Sequence, residues 1–164
     1  MKPFLLVTLL LLSACAPQTA TVGDVPAQFV RSAPDLSALR ESILRVPQPG
    51  DAASFEVTEG FLNGSPIQFE GGTAQLLPEL VLNVRQVGQA YVVLPVRLQL
   101  RENSGLYLML LESRGEVFAQ RPSVALGETN LSSLSFEMGR VVVNGSSRYR
   151  IEAGRLVEVQ SQVQ

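Results

Sequence analysis

The chain has no histidine and no tryptophan, and Cys15 is its only cysteine in 164 residues. The missing histidine removes the usual general base near neutral pH, the Ser-His-Asp triad and the commonest metal ligand. A lone cysteine cannot form an internal disulfide or build a Cys/His zinc site. No Asp-x-Asp calcium loop occurs either. We therefore expect a protein that is not an enzyme and that binds no metal or cofactor.

Lysine is almost absent, because Lys2 is the only one and every other basic residue is arginine. The formal net charge is −2, with 15 acidic and 13 basic residues. Proteins that bind nucleic acids normally present a strongly basic face, so this balance argues against a nucleic-acid partner. It also argues against a polybasic patch that would hold the protein on anionic lipids.

The first residues have the pattern of a signal peptide. Lys2 supplies a positive charge before an apolar segment at residues 4–12, and the small residues Ser13 and Ala14 follow directly. The apolar segment has the length of a signal-peptide core, about 7–15 residues, and is shorter than the about 20 residues that span a bilayer. The sequence therefore predicts export.

The segment Leu12-Ser13-Ala14-Cys15 closely resembles the lipobox of bacterial lipoproteins, in which an aliphatic and two small residues precede an invariant cysteine. The resemblance implies a signal peptide at residues 1–14 and lipidation of the Cys15 thiol and amine, with acyl chains such as palmitate. Each buried CH₂ contributes about 0.8 kcal/mol, so two or three chains would hold the protein at a membrane. The implied location is the cell membrane or outer membrane, facing the periplasm or exterior.

The segment Ala14-Cys15-Ala16 also fits the Ala-x-Ala pattern of ordinary signal peptidase cleavage. On that interpretation the cut follows Ala16, and the mature protein is free and has no cysteine. We favour lipidation because an unpaired thiol in an exported protein calls for an explanation, which lipidation supplies.

Residues 15–33 are rich in Ala, Pro, Thr, Gln and Val without apolar periodicity, and we interpret them as the lipidated end and a flexible tether. Residues 34–160 have the length of one globular domain. Its start resembles a helix near 35–46, with Ser32 as a cap, Pro34 in the first turn and apolar residues at helical spacing: Leu36, Leu39, Ile43 and Leu44. We expect this helix to cap the β-domain, because its polar face is too weakly basic for a membrane surface.

From Ser54 onward the apolar residues alternate as in β-strands. The clearest alternation runs over residues 91–101, where Pro95 indicates a sheet edge or a bulge. Residues 106–111 are apolar on both faces, which predicts a central strand. Residues 121–130, with Pro122 and Gly127, are predicted to be a loop.

Short strands and turn signals together predict a mainly β fold. The turn dipeptides include Asn63-Gly64, Asn144-Gly145 and Ala153-Gly154, and the chain is predicted to close as a three-stranded meander. Turn signals every 8–12 residues favour an antiparallel β-sandwich or barrel of about 8–10 short strands with one N-terminal helix.

Two sets of charged residues are candidate sites. Glu56, Glu59 and Glu70 offer the residue type of a glycoside hydrolase pair, but acids beside turns are more often solvated surface. Arg148, Arg150 and Arg155 offer a cationic strip, although Glu152 and Glu158 lie close in sequence and favour ordinary solvated charge.

The sequence leaves two hypotheses for function. The first is a non-catalytic binding or assembly module at the envelope, which contacts a protein or polymer through sheet edges or loops. The alternative is a carrier of an apolar ligand or lipid in a barrel cavity lined by residues 106–111. An internal cavity of several hundred Å³ lined by Leu and Val would favour the carrier, and a filled core would favour the module.

Overall fold

The structure is a computed structural model that describes residues 35–47, 53–101, 104–127 and 130–159. These residues form one short α-helix, α1 (Glu59–Leu62), and 3-10 helices at Leu36–Leu39 and Pro78–Leu80. The strands are β1 (Ile43–Arg45), β2 (Ser54–Glu56), β3 (Ile67–Phe69), β4 (Gly72–Leu76), β5 (Leu82–Gln86), β6 (Gln89–Leu100), β7 (Ser104–Arg114), β8 (Val117–Leu126), β9 (Leu134–Glu137), β10 (Arg140–Val143), β11 (Ser147–Glu152) and β12 (Arg155–Glu158). The predicted signal peptide, Cys15 and the tether lie outside the described residues.

The mainly β, antiparallel fold is confirmed. One six-stranded sheet has the order β3-β4-β6-β7-β8, and β5 also pairs with β6. Strands β9 to β12 form a four-stranded meander, one strand longer than expected, and β1 pairs with β2. Twelve strands in the described residues exceed the 8–10 expected, because β1, β2 and β3 have three residues each and are too short to show alternation.

The first core layer lies between the six-stranded sheet and the meander. Alternate positions of β5 to β8 supply one side of it, and all four meander strands supply the other. Its buried side chains include Val93, Leu108, Leu110, Phe136, Val141 and Ile151. Each sheet thus buries one face against the other.

The second core layer covers the opposite face of the six-stranded sheet. The covering elements are the 3-10 helix Leu36–Leu39, β1, β2 and α1, which we call the N-terminal cover. Phe61 in the N-terminal cover is fully buried, and the centroid of its ring lies 5.1 Å from the centroid of the Phe55 ring. Thr58 caps α1, since its hydroxyl accepts a hydrogen bond from the Phe61 backbone N–H.

Strands β6 and β7 are central, as the sequence predicted for residues 106–111. Leu106, Leu108 and Leu110 belong to the first core layer, while Met109 and Leu111 belong to the second. A strand buried on both faces needs apolar residues at consecutive positions, which explains the unbroken run.

The predicted helix near 35–46 is wrong. Asp35 caps only one 3-10 turn, and Glu41 then takes a φ of 66°, which ends it. Residues Ile43–Arg45 form β1 instead, pairing with Ser54–Glu56 and burying only Leu44. The spacing of apolar residues suited a helix, but pairing with β2 outweighed this local preference.

Both prolines in strands occupy positions where no ladder hydrogen bond is required. Pro95 is neither at an edge nor at a bulge, because it lies in central β6 opposite the gap between β4 and β5. Residues 121–126 are strand rather than loop, and Pro122 falls where two β8 residues oppose Met109 of β7. Such a bulge leaves a residue unpaired and so accommodates proline.

Candidate functional site

A surface groove of about 600 Å³ runs between β1 and β8. One wall is formed by β1 and the two residues after it, and the other by the middle of β8. The lining residues are Ile43, Arg45, Val46, Pro47, Gln120, Arg121, Pro122 and Ser123. We call this the β1–β8 groove.

The wall formed by β1 presents backbone hydrogen-bonding groups to the groove. Val46 N–H bonds to the Ala53 carbonyl and Val57 N–H to the Ser42 carbonyl. Because bonded and non-bonded pairs alternate in antiparallel ladders, the backbone groups of Ile43 and Arg45 point away from β2. The outward backbone groups of β1 therefore face the groove.

The side-chain amide of Gln120 bonds to the outer edge of β1 in the way that the backbone of a neighbouring strand would. Its side-chain oxygen accepts a hydrogen bond from Arg45 N–H at 2.7 Å, and its amide nitrogen donates to the Arg45 carbonyl at 2.8 Å. These two bonds satisfy Arg45 and fix the spacing of the two walls. Within the part of the chain that is described, no comparable bond reaches the backbone of Ile43.

The wall formed by β8 is the last strand of its sheet, so its outer edge has no backbone partner in the described residues. The β8 segment is ten residues long, and the bulge at Pro122 interrupts its regularity. Natural edge strands use proline and bulges to limit indiscriminate pairing. The groove therefore contains the open edge of β8, and the bulge at Pro122 restricts which strands can pair with that edge.

Arg121 joins the groove to a buried ion cluster. Glu112 is the one charged residue that is buried in the described chain, and its carboxylate accepts bonds from Arg114 Nε at 2.9 Å and Arg121 Nε at 2.6 Å. The bonds from Arg114 and Arg121 lower the pKa of Glu112, so the carboxylate stays ionised. The cluster holds the Arg121 side chain in one orientation beside the groove.

The groove carries positive charge and one large aliphatic side chain that is exposed. Arg45 has no ion pair within the described ranges, and Ile43 is 69% exposed. An exposed aliphatic residue beside open backbone groups and an unpaired cation suits an extended, acidic polypeptide. It offers no nucleophile with an adjacent base.

The acidic residues considered for catalysis occupy three separate elements and are exposed. Glu56 ends β2, Glu59 begins α1 and forms an ion pair with Arg40 at 3.6 Å, and Glu70 lies in the β3–β4 turn. In the described ranges, no group of three or more acidic side chains is placed to hold a metal ion.

The arginines considered as a cationic strip lie at exposed positions of the last hairpin. Arg150 forms an ion pair with Glu152 at 2.5 Å, and Glu152 also stands opposite Arg155 in the ladder. Acidic side chains therefore lie between these arginines, which fits ordinary solvated charge better than a continuous cationic strip.

Sequence reasoning missed the β1–β8 groove. Ile43 was assigned to a helix, and residues 121–130 were assigned to a loop, so neither wall was recognised. The pairing of β1 with β2 depends on a contact between separated segments, which periodicity does not reveal. One usable signal was the strand-like sequence before Pro122, since proline is frequent at sheet edges.

A comparison of the chain with known protein families, curated proteins and solved structures finds no match. No helix in the described residues is long and apolar enough to cross a membrane.

Proposed function

We propose that this chain is a membrane-anchored bacterial envelope lipoprotein, and that its β-domain is a non-catalytic binding or assembly module. Acyl chains on Cys15 hold it at the cell membrane or outer membrane, facing the periplasm or exterior. The lipobox resemblance at Leu12-Ser13-Ala14-Cys15 supports the anchor. The observation that carries the binding role is the open strand edge of the β1–β8 groove.

The occupant we propose is an extended segment of an envelope protein that adds to the sheet edge. Backbone bonds to such an edge give affinity, and side-chain pockets give specificity. Arg45 favours an acidic residue in the segment, and exposed Ile43 favours an apolar one next to it. The mild negative charge of the whole chain gives no support to a nucleic-acid partner.

The packed interior favours the binding module over the carrier. Residues 106–111 were the candidate lining of a ligand cavity, yet their side chains pack into two separate core layers. Leu106, Leu108 and Leu110 face the meander, and Met109 and Leu111 face the N-terminal cover. Both faces of the strand are therefore occupied by the protein's own side chains.

Site-specific photo-crosslinking in native membranes tests the proposed groove. A photoreactive residue at position 43 or 123 should capture one partner, and the same residue at exposed Ser146 in the β10–β11 turn should not. The substitution Ile43→Glu should abolish that capture from position 123, since it adds a negative charge to the apolar wall. The matched control Ser146→Glu should preserve it.

Equal crosslinking at positions 43, 123 and 146, or no crosslinking at any, would contradict the groove as the binding site. The anchor is tested separately, by fractionation of Cys15→Ala. That variant should leave the membrane pellet, and unchanged membrane retention would contradict the lipid anchor.

A further inference from the structure

The described chain begins at one end of the six-stranded sheet. Arg85, Ala90, Ser113 and Phe118 form one row across β5, β6, β7 and β8, as the ladder registers give it. Asp35, the first described residue, lines a pocket of about 180 Å³ together with all four. The described chain therefore begins beside this row.

Two hairpin turns lie just beyond that row, and we call this region the turn end. Val87-Gly88 joins β5 to β6, and Gly115-Glu116 joins β7 to β8. Val87 is 89% exposed, and Val117 at the start of β8 is 67% exposed. These are two of the four exposed large hydrophobic residues in the described chain, and they lie at the same end of one sheet.

Val87 is also an unfavourable residue for its backbone conformation. The two-residue turn has φ angles of 48° at Val87 and 77° at Gly88, the pattern of a type I′ turn. Such turns favour Asn, Asp or Gly at the first position, and a β-branched residue with positive φ is a genuine outlier. The two-residue turns at Met138-Gly139 and Ala153-Gly154 have the same positive φ angles without Asn or Asp at the first position, but only Val87 is β-branched.

The charges at the turn end are mixed but include exposed arginines. Arg85 is exposed and has no ion pair in the described residues, and Arg114 is 57% exposed while it binds Glu112. Two exposed acids oppose them, Glu116 in the β7–β8 turn and Asp35 beside the row. Arginines beside an apolar tip suit a surface of phospholipid headgroups.

We propose that the turn end rests on the phospholipid bilayer, with Val87 and Val117 entering the headgroup region and Arg85 and Arg114 meeting phosphates. This inference rests on the proposed anchor at Cys15, which restricts the domain to the membrane surface. Residues 16–34 separate the anchor from Asp35, and a fully extended chain between Cys15 and Asp35 spans at most about 70 Å. Two valines alone would bind only weakly, but the anchor keeps them close to the lipid.

Tryptophan fluorescence tests the orientation directly, because the chain has no tryptophan of its own. The lipidated full-length protein is placed in vesicles of phosphatidylethanolamine and phosphatidylglycerol, with or without brominated acyl chains. Val87→Trp and, independently, Val117→Trp should emit at shorter wavelength and lose fluorescence to the brominated lipid. The control Glu70→Trp lies in the β3–β4 turn at the opposite end of the sheet and should show neither change.

A second variant separates membrane contact from folding. Val87→Asn suits the turn conformation, so it should leave the fold intact while it reduces the quenching of Val117→Trp. Bound protein in which no tryptophan is quenched, or all three are quenched equally, overturns the orientation and leaves the anchor standing. Failure of the lipidated protein to sediment with vesicles overturns both the anchor and this inference. Quenching confined to positions 87 and 117 supports the proposal against a protein partner at this end.

Discussion

Glu112 is buried at the margin of the first core layer, and its carboxylate accepts hydrogen bonds from Arg114 and Arg121. A buried carboxylate without partners would be costly, and these two donors offset the loss of water. Arg121 also lies against Gly154 of the β11–β12 turn, where a Cβ would come within 3.3 Å of the Arg121 Nε. The ionised Glu112 on β7 thus holds Arg121 of β8 in contact with the meander.

Acidification should weaken this cluster. The bonds from the two arginines lower the pKa of Glu112 below the unfolded value of 4.5, so the unfolded chain binds the proton more readily. The stabilisation is fully present above about 4.5 and is lost as pH falls through the lower, folded pKa. Urea unfolding from pH 7 to pH 3 should show that Glu112→Gln is less stable than wild type at pH 7, with the difference shrinking in acid. A constant difference across that range would contradict the assigned role.

A second residue-scale prediction concerns the strained turn at Val87. Positive φ at a β-branched residue costs of the order of 1–3 kcal/mol, and asparagine accepts this conformation readily. Val87→Asn should therefore raise the free energy of unfolding by about 1 kcal/mol. Asn144→Val should destabilise the fold, because Asn144 also has a positive φ and its side-chain amide donates a hydrogen bond to the Asn130 carbonyl. Denaturant melts of both variants check this, and an unchanged or less stable Val87→Asn would refute the strain.

At the scale of elements, β4 and β6 meet closely because Gly72 has no side chain. A Cβ at Gly72 would overlap the carbonyl oxygen of Gln99 and lie 3.1 Å from the Leu100 Cα. Backbone atoms cannot yield as a flexible side chain can. Glycine at this position therefore allows β3 and β4 to join the sheet.

The substitution Gly72→Ala should lower the free energy of unfolding by about 1–3 kcal/mol, as overpacking against fixed atoms does. The control Gly127→Ala places its Cβ in open space and should change stability by less than about 0.5 kcal/mol. Thermal melts of both variants give the comparison. Equal stability of the two would show that β4 has room to move.

Two of the three long strands, β6 and β7, were predictable from sequence, whereas β8, which the bulge at Pro122 interrupts, and the short elements were not. Residues 91–101 and 106–111 carry enough consecutive positions for their periodicity to identify β6 and β7. By contrast, β1 has three residues and needs β2 as a partner, so its apolar residues resembled a helix. The predicted turn at Asn63-Gly64 is present, but the short helix α1 that precedes it, with Asn63 as its C-cap, was not predicted.

At the scale of the whole molecule, the six-stranded sheet separates two core layers. The meander covers one face, and the N-terminal cover closes the other. The mainly β class followed from composition and turns, but the β1–β8 groove did not, because it forms where the N-terminal cover meets an edge strand. A site between elements that are distant in sequence depends on tertiary contacts, and the periodicity of apolar residues along the chain does not reveal such contacts.

The domain has two distinct surfaces of proposed function. The turn end lies beside Asp35, where the described chain begins, and the β1–β8 groove lies along the β8 edge. A module held at its turn end would keep the groove available to an envelope protein at the same membrane. The proposed contact of the turn end with lipid requires that Cys15 attaches the protein to the bilayer.

Mass spectrometry of the first peptide of the native protein tests that attachment most directly. The account predicts a mature chain that begins at Cys15 and carries acyl chains on the thiol and the amine. An unmodified mature chain that begins at Pro17 would contradict it, because ordinary signal peptidase would then have released a free protein without cysteine.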